Sequence, residues 1–286
     1  MATTTWTGAS SETFSDNANW TGNTPASGDV GIIPKTAANN IAGEDRSGVN
    51  ISKLSVQEGS TVQIGTSGTP LQIAGDLFVF RGQAPVYLQA ATGTSDDVHM
   101  IFVDSPRRDA NSTPALTLTD DGTSNLLRMA VQSGYVLCGS AATNAIDRLE
   151  VCGPQATVSV ESGFGTITDA FVTEGYLILD DAVTTLHLGA SGRVLVNQAD
   201  GQVITGHIFG SMDYRSDETI TLLNIFGPRG FTDFSMADRS ITVTTTNVIG
   251  AGARINQGDG QVTFTNSPSI IGGGTIQSST GGAFGL

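Results

Sequence analysis

Residues 148–202 read RLEVCGPQATVSVESGFGTITDAFVTEGYLILDDAVTTLHLGASGRVLVNQADGQ, and this stretch decides the fold class. Apolar markers stand at Leu149, Val158, Ile167, Leu177, Leu186, Leu195 and Ile204. Their step is nearly constant, at the close spacing of short strands. Around them the residues alternate, as in Leu186-His187-Leu188 and Thr157-Val158-Ser159-Val160, which sends every second side chain to one face of a strand. Turn formers separate the clusters: Gly153-Pro154, Asp180-Asp181, Gly189-Ala190-Ser191-Gly192 and Ala199-Asp200-Gly201. Short strands at a small fixed step form either hairpins or the coils of a solenoid. Two-residue hairpins call for Asn-Gly or Asp-Gly at nearly every turn, and only a minority of these turns carry one. Two or three such strands make a coil of about 18 to 28 residues, a normal solenoid repeat. The expectation is an all-β chain wound as a parallel β-solenoid of the β-helix type.

Working outward, the same ladder runs through Leu54/Val56, Val62/Ile64, Leu71/Ile73, Phe78/Phe80 and Val86/Leu88. Residues 196–203 (VNQADGQV) return as residues 255–262 (INQGDGQV). That offset is three coils of about 19 to 20 residues. The rhythm breaks twice. Residues 91–125 are polar, with Asp96-Asp97 and Asp104-Ser105-Pro106-Arg107-Arg108, and are expected to loop out of the coil. Residues 206–240 concentrate Phe, Met and Arg, the types enriched at protein interfaces. The predicted organisation is an N-terminal cap or arm over residues 1–48, then a solenoid over 49–286 with insertions near 91–125 and 206–240. The Gly-rich tail from Ile271 is expected to be tied down on the body or on neighbouring chains.

Composition narrows the function. Of 286 residues only 14% are charged, 36 are Gly, and the net charge is −14. Exposed helix faces normally carry Glu, Lys, Arg and Ala, so this composition favours strands and turns. Asn125–Ala130 is the nearest approach to a helix, and it is short. Phosphate-backbone binding needs a basic stripe, which this acidic chain lacks. Two cysteines, Cys138 and Cys152, make neither a disulfide framework nor a zinc site and read as unpaired core thiols. No apolar run approaches the ~20 residues of a membrane helix, and residues 1–20 contain no apolar signal segment. The chain is expected to be made in the cytosol and to remain there or leave by lysis.

The N-terminus carries a local duplication, Trp6-Thr7-Gly8 and Trp20-Thr21-Gly22, with both tryptophans of the chain. Such a segment is expected to plug the end of a solenoid, the alternative being an arm on a neighbouring subunit. The pattern W-T-G…F-S-D-N-A-N-W-T-G-N-x-P-x-S-G-D, followed by I-S-K-L-S-V-Q-E-G-S-T-V-Q-I-G, resembles the opening of many bacterial and phage β-helix proteins. Autotransporter passenger domains are the best-known group. The resemblance covers roughly residues 3 to 80, implies a coil-forming scaffold and says little about activity. A secretion leader and a C-terminal membrane barrel, which autotransporters have, are missing from the pattern. A phage or virion protein on the same scaffold fits those absences better.

Catalytic signals are weak. Asp96-Asp97, Asp120-Asp121 and Asp180-Asp181 resemble the acidic pairs of polysaccharide-cleaving enzymes, but neighbours on a strand point to opposite faces. Turn residues explain them. The turns at Asp200-Gly201 and Asp259-Gly260 lack the rest of a calcium nonapeptide. His187 and His207 lie one coil apart and are expected to stack; with His99 they are the only histidines, too few for a metal site. There is no P-loop, nucleophile elbow or Cys–His pairing. Sequons at Asn19, Asn50 and Asn111 matter only in a secretory pathway.

The functional expectation is therefore non-enzymatic, with no catalytic residue, cofactor or metal: a virion structural protein, a phage capsid decoration or cement protein. It is expected to be a homo-oligomer, a trimer, that contacts the major capsid protein or other virion subunits and neither nucleic acid nor membrane. Expected contact residues are Trp6, Trp20, Arg107, Arg108, Phe226, Arg229 and Phe234. The alternatives are a tail fibre or tailspike acting on host polysaccharide, and a bacterial surface adhesin.

Overall fold

In a computed structural model the chain is described at residues 1–90, 99–106, 113–120, 126–139, 146–197, 200–237, 240–259 and 262–278. Among these, strands β1 (Thr3–Thr5), β2 (Val30–Ile33), β3 (Asp45–Val56), β4 (Leu71–Phe80), β5 (Val86–Ala90), β6 (Met100–Asp104) and β7 (Leu116–Asp120) open the ladder. Four long strands form its middle: β8 (Leu126–Cys138), β9 (Ile146–Val160), β10 (Ile167–Leu179) and β11 (Ala182–Val196). Then come β12 (Gln202–Ile208), β13 (Ser211–Tyr214), β14 (Ile220–Phe226), β15 (Phe231–Asp233) and β16 (Ile241–Ile249). Finally β17 (Arg254–Asn256), β18 (Val262–Phe264), β19 (Ser269–Ile271) and β20 (Thr275–Gln277) complete the described coils. Every pairing between these strands is parallel. The molecule is a parallel β-solenoid of about 10 turns.

Each coil has two main faces joined at a corner. The first face takes β1, β2, the second halves of β3 and β4, then β6, the first halves of β8–β11, β12, β14, β16 and β19. The second takes β5, β7, the second halves of β8–β11, then β13, β15, β17 and β20. Coil length varies, from the short coil between Ala170 and its partner Leu186 to the long one between Val86 and Leu116. The turns absorb the difference while the faces stay in step.

The short step of the sequence is thus half a coil, one apolar cluster on each face. Its markers Leu149, Val158, Ile167, Leu177 and Leu186 are all buried, whereas Leu195 and Ile204 are half-buried beside the buried Val194, Val196 and Val203. Inward columns are continuous: Val103, Val131, Val151, Val172, Leu188, Ile208 and Ile225 stack rung on rung, all buried. Stacked parallel strands sit about 4.7–4.9 Å apart, so each methyl cluster packs on the one below and the core is a column rather than a ball.

The repeat at residues 196–203 and 255–262 does span three coils, but in a shifted register. Leu195 pairs with Asp213, Asp213 with Asp233, and Asp233 with Asn256, which makes Asn256 the equivalent of Leu195 three coils on. The sequence match would instead set Leu195 against Arg254. The slip is two positions, the smallest that keeps the inside–outside alternation.

Several expectations are corrected. The boundary at 48/49 falls inside β3, and β1 and β2 are already rungs below it. Residues 206–237 do not loop out: β13, β14 and β15 are regular rungs, because Met212, Tyr214 and Phe234 turn inward and fill the core. In 91–125, β6 and β7 are rungs, while the rest of the expected loop, at 91–98, 107–112 and 121–125, lies outside the described residues. The nearest approach to a helix, Asn125–Ala130, is strand from Leu126 onward, in keeping with the all-β expectation, since Leu126, Met129 and Val131 stack on neighbouring coils. Cys138 is buried and Cys152 half-buried, and both are free thiols. The Asp96-Asp97 pair, Asp121, Arg239 and the tail from Ser279 lie outside the described residues.

The N-terminal segment caps its own chain. The two repeats meet in one antiparallel bridge, Trp6 with Trp20, their rings 5.3 Å apart and edge-on. Phe14 packs edge-on against Trp20 at 4.9 Å. The indole of Trp20 donates to Phe14 O at 2.7 Å and that of Trp6 to Asn39 O at 3.0 Å, so neither buried N–H is left unpaired. Asn19, fully buried, holds the loop: its Oδ1 accepts from the Ser10 and Ser11 amides and its Nδ2 donates to Thr13 O.

Candidate functional site

Parallel register places residues one coil apart directly over one another, so like residues on the outer surface form ladders. On the first face Glu150, Phe171, His187, His207, Asn224 and Asn247 are one such outward column. Arg128 and Arg148 occupy the adjacent column.

At its lower end Glu150, with a side chain only 11% exposed, accepts from Arg128 Nη2 at 2.7 Å and Arg148 Nε at 2.6 Å. Burial alone would raise its pKa, but the two guanidiniums outweigh burial and hold the carboxyl below the usual range. Glu150 is thus a fixed anion, not a proton donor at neutral pH. A lowered carboxyl pKa adds stability above the ordinary carboxylate pKa and loses it as pH falls through the lowered value. Glu150→Gln is expected to cost about 1–2 kcal/mol at neutral pH. In urea titrations across pH, the gap between parent and variant should close in acid; a gap independent of pH would sink this account.

Above it the rings stack. The Arg148 guanidinium lies 4.3 Å from the Phe171 centroid; Phe171 stacks on His187 at 4.5 Å, and His187 on His207 at 5.1 Å. The expected His187–His207 stacking is therefore present. Burial first, and then neighbouring His207, hold His187 below the ordinary imidazole value. His207 Nδ1 accepts from Asn224 Nδ2 at 3.2 Å, and Asn224 Oδ1 accepts from Asn247 Nδ2 at 2.8 Å. An amide N–H at Nδ1 leaves the His207 proton on Nε2. Both faces of Phe171 and of His187 are taken, by the next ring or by a guanidinium.

Two further features lie beside it. Toward the last coils an outward apolar column forms from Phe209, Phe226, Ile249 and Ile271. Phe209 and Phe226 stack at 4.4 Å and 11°, and Phe209 and Ile271 stay 45% and 55% exposed. Ile270, the last member of an inward column, is 51% exposed for want of a rung above it among the described residues.

The second is a furrow along the corner between the faces. It is lined by Pro154, Glu174, Gly175, Tyr176, Ser191 and Arg193, and continues past Gly192, Gly210 and Ser211 to Arg229. Its floor is glycine because the backbone beneath allows nothing larger: a Cβ on Gly192 would meet Val172 O at 2.3 Å, and one on Gly210 would meet Gly189 O at 2.3 Å. Sequence reasoning passed over this feature, although Gly175, Gly192, Gly210 and Gly230 recur once per coil.

The expected contact residues scatter. Trp6, Trp20 and Phe234 are buried in the chain's own core, so they hold the fold and present nothing to a partner. Phe234 meets Tyr214 edge-on at 5.7 Å. Phe226 and Arg229 are on the surface, in the apolar column and the furrow respectively. Arg107 and Arg108 lie outside the described residues. Asp180 and Asp181 are turn residues: Asp181 accepts from the Gly165 and Ala182 amides at 2.9 and 2.7 Å. Among the described residues no three His, Cys, Asp or Glu gather as metal donors. No protein-family model, curated protein or solved structure matches this chain.

Proposed function

We propose that the protein is a non-enzymatic structural subunit of a virion, a homo-oligomeric decoration protein that stabilises a phage capsid through contacts with the major capsid protein. The observation that carries this reading is polarity along the rod. One end is closed by the chain's own Trp6–Phe14–Trp20 cap. Toward the other, Phe209, Met236, Ile270 and Ile271 stand exposed, four of the six exposed large apolar residues among those described. Apolar surface of this kind marks contact sites, and a stiff stack of coils transmits load between its ends. The virion assignment rests on the N-terminal resemblance at residues 3–80. The polysaccharide alternative finds less support, because sugar sites stack on free ring faces and those of Phe171 and His187 are occupied.

The test is co-sedimentation with undecorated capsid shells, beside a host-polysaccharide control. Saturable binding at a fixed stoichiometry is expected, with affinity falling tenfold or more in Phe209→Ser/Ile271→Ser. A parent that leaves the shells unbound, or a double variant that binds as tightly, removes the reading.

A further inference from the structure

We infer that the corner furrow is a self-association site whose occupant is the acidic turn edge of a second copy of this chain. The inference gives the homo-oligomer of the proposed function a surface, rests on that part of the reading, and is tested apart from shell binding.

The charges of this acidic chain are segregated across the second face. On one margin is the furrow, where Arg193 and Arg229 are exposed and make no ion pair among the described residues. Its one carboxylate is Glu174. On the opposite margin are the turns that follow each second-face strand. Those after β9, β10, β11 and β13 carry Glu161, Asp180, Asp200 and Glu218. These turns are stacked: Asp180 N donates to Val160 O, Asn197 N to Leu179 O and Arg215 N to Val196 O. Ser162 Oγ bonds the Asp200 carboxylate across two coils. The edge is thus a rigid acidic ridge of coil-by-coil spacing, and Arg215, the cation within it, is taken by Asp213 at 2.6 Å.

Ridge and furrow share one repeat, the strand spacing of about 4.8 Å, and run parallel to the same axis. The second face between them is about five residues wide, about 17 Å at strand rise. A ridge from one copy therefore lies along the furrow of the next with its carboxylates in step with the arginines. Tyr176 adds an aromatic wall and the glycine floor lets backbone approach closely. The contact uses two different surfaces, so it is heterologous, and rotation about an axis parallel to the rod closes it into a ring. Long-range attraction of this kind weakens with salt.

The experiment is sedimentation velocity of the full chain over concentration and NaCl, on the parent, Arg193→Glu/Arg229→Glu, Asp200→Lys/Glu218→Lys and an equimolar mixture of the two variants. The parent is expected to be oligomeric and to loosen with salt. Each variant alone should associate at least tenfold more weakly, and the mixture should associate again because both charge patterns are then complementary. A monomeric parent, variants that keep the parental oligomer, or a mixture that stays apart each overturns the inference. All substituted side chains are exposed, so parental melting checks the fold; Arg229→Ala, a milder change, should still weaken association. An oligomer that ignores shells sinks the decoration reading and leaves this one standing, and a shell-binding monomer does the reverse.

Discussion

Gly153→Ala is expected to cost about 3 kcal/mol or more in stability, at the severe end for a single methyl group. A Cβ at Gly153 would stand 1.8 Å from the carbonyl oxygen of Gln132 and 3.1 Å from the amide nitrogen of the Gln132 side chain. The carbonyl belongs to β8, one rung below, at the register shift between Val131 and Ser133, and the paired rungs on either side of it hold it in place. The same crowding recurs up the corner at Gly192 and Gly210, so the bend between the faces is made by leaving side chains out. The control is Gly48→Ala, where nothing lies within 4 Å of the added Cβ. There the change should be near neutral or slightly stabilising, since alanine narrows the unfolded ensemble. Urea midpoints of the two variants measure the contrast. Equal midpoints would show that the corner yields, and that its glycines are not imposed by the backbone beneath. Because coils interact with neighbours alone, hydrogen exchange should place the Gly153→Ala damage in β8–β10 and spare β16.

That corner also explains which parts of the molecule were legible in the sequence. Side-chain alternation is local, so Leu186-His187-Leu188 announces a strand whatever lies above it, and a regular half-coil step announces stacking. The His187–His207 stack was readable for the same reason, since parallel register turns a one-coil spacing into a contact. Direction was the weak link. Aromatic and Met residues at 206–240 looked like an interface because composition does not say which face a side chain takes. Met212, Tyr214 and Phe234 follow the inward parity of their rungs, while Phe209 and Phe226 follow the outward one. Tyr214 is admitted to the core because its hydroxyl donates to Glu218 O at 2.9 Å. Charge patterning across coils was harder still. Arg193 and Arg229 lie two coils apart, as do Glu161 and Asp200, in a chain whose coil length drifts from turn to turn. Without the register, neither furrow nor ridge can be assembled from spacing alone.

The cap supplies the second large effect. Trp20→Ala is expected to remove about 3–5 kcal/mol from the N-terminal coils. Trp20 is 4% exposed, receives Trp6 and Phe14 edge-on, and lies over Gly31 of β2. Its loss opens the core at Leu54 and strips the ring contact from Trp6, which is then held by the Asn39 carbonyl and the β1 ladder. Both tryptophans of the chain sit in this cap, so tryptophan fluorescence reports it and nothing else. Trp6 emission in the variant should be red-shifted before denaturant is added, while the far-ultraviolet strand signal of the later coils persists to a higher urea concentration. The two probes separate because a terminal coil has one neighbour instead of two and melts first when its contacts are removed. Were emission and strand signal to fall together at the parental midpoint, the aromatic triad would not be what closes the rod. A cap that melts alone also leaves β13–β20 folded, so shell binding through Phe209 and Ile271 should survive Trp20→Ala, which separates the end that seals the solenoid from the end that docks.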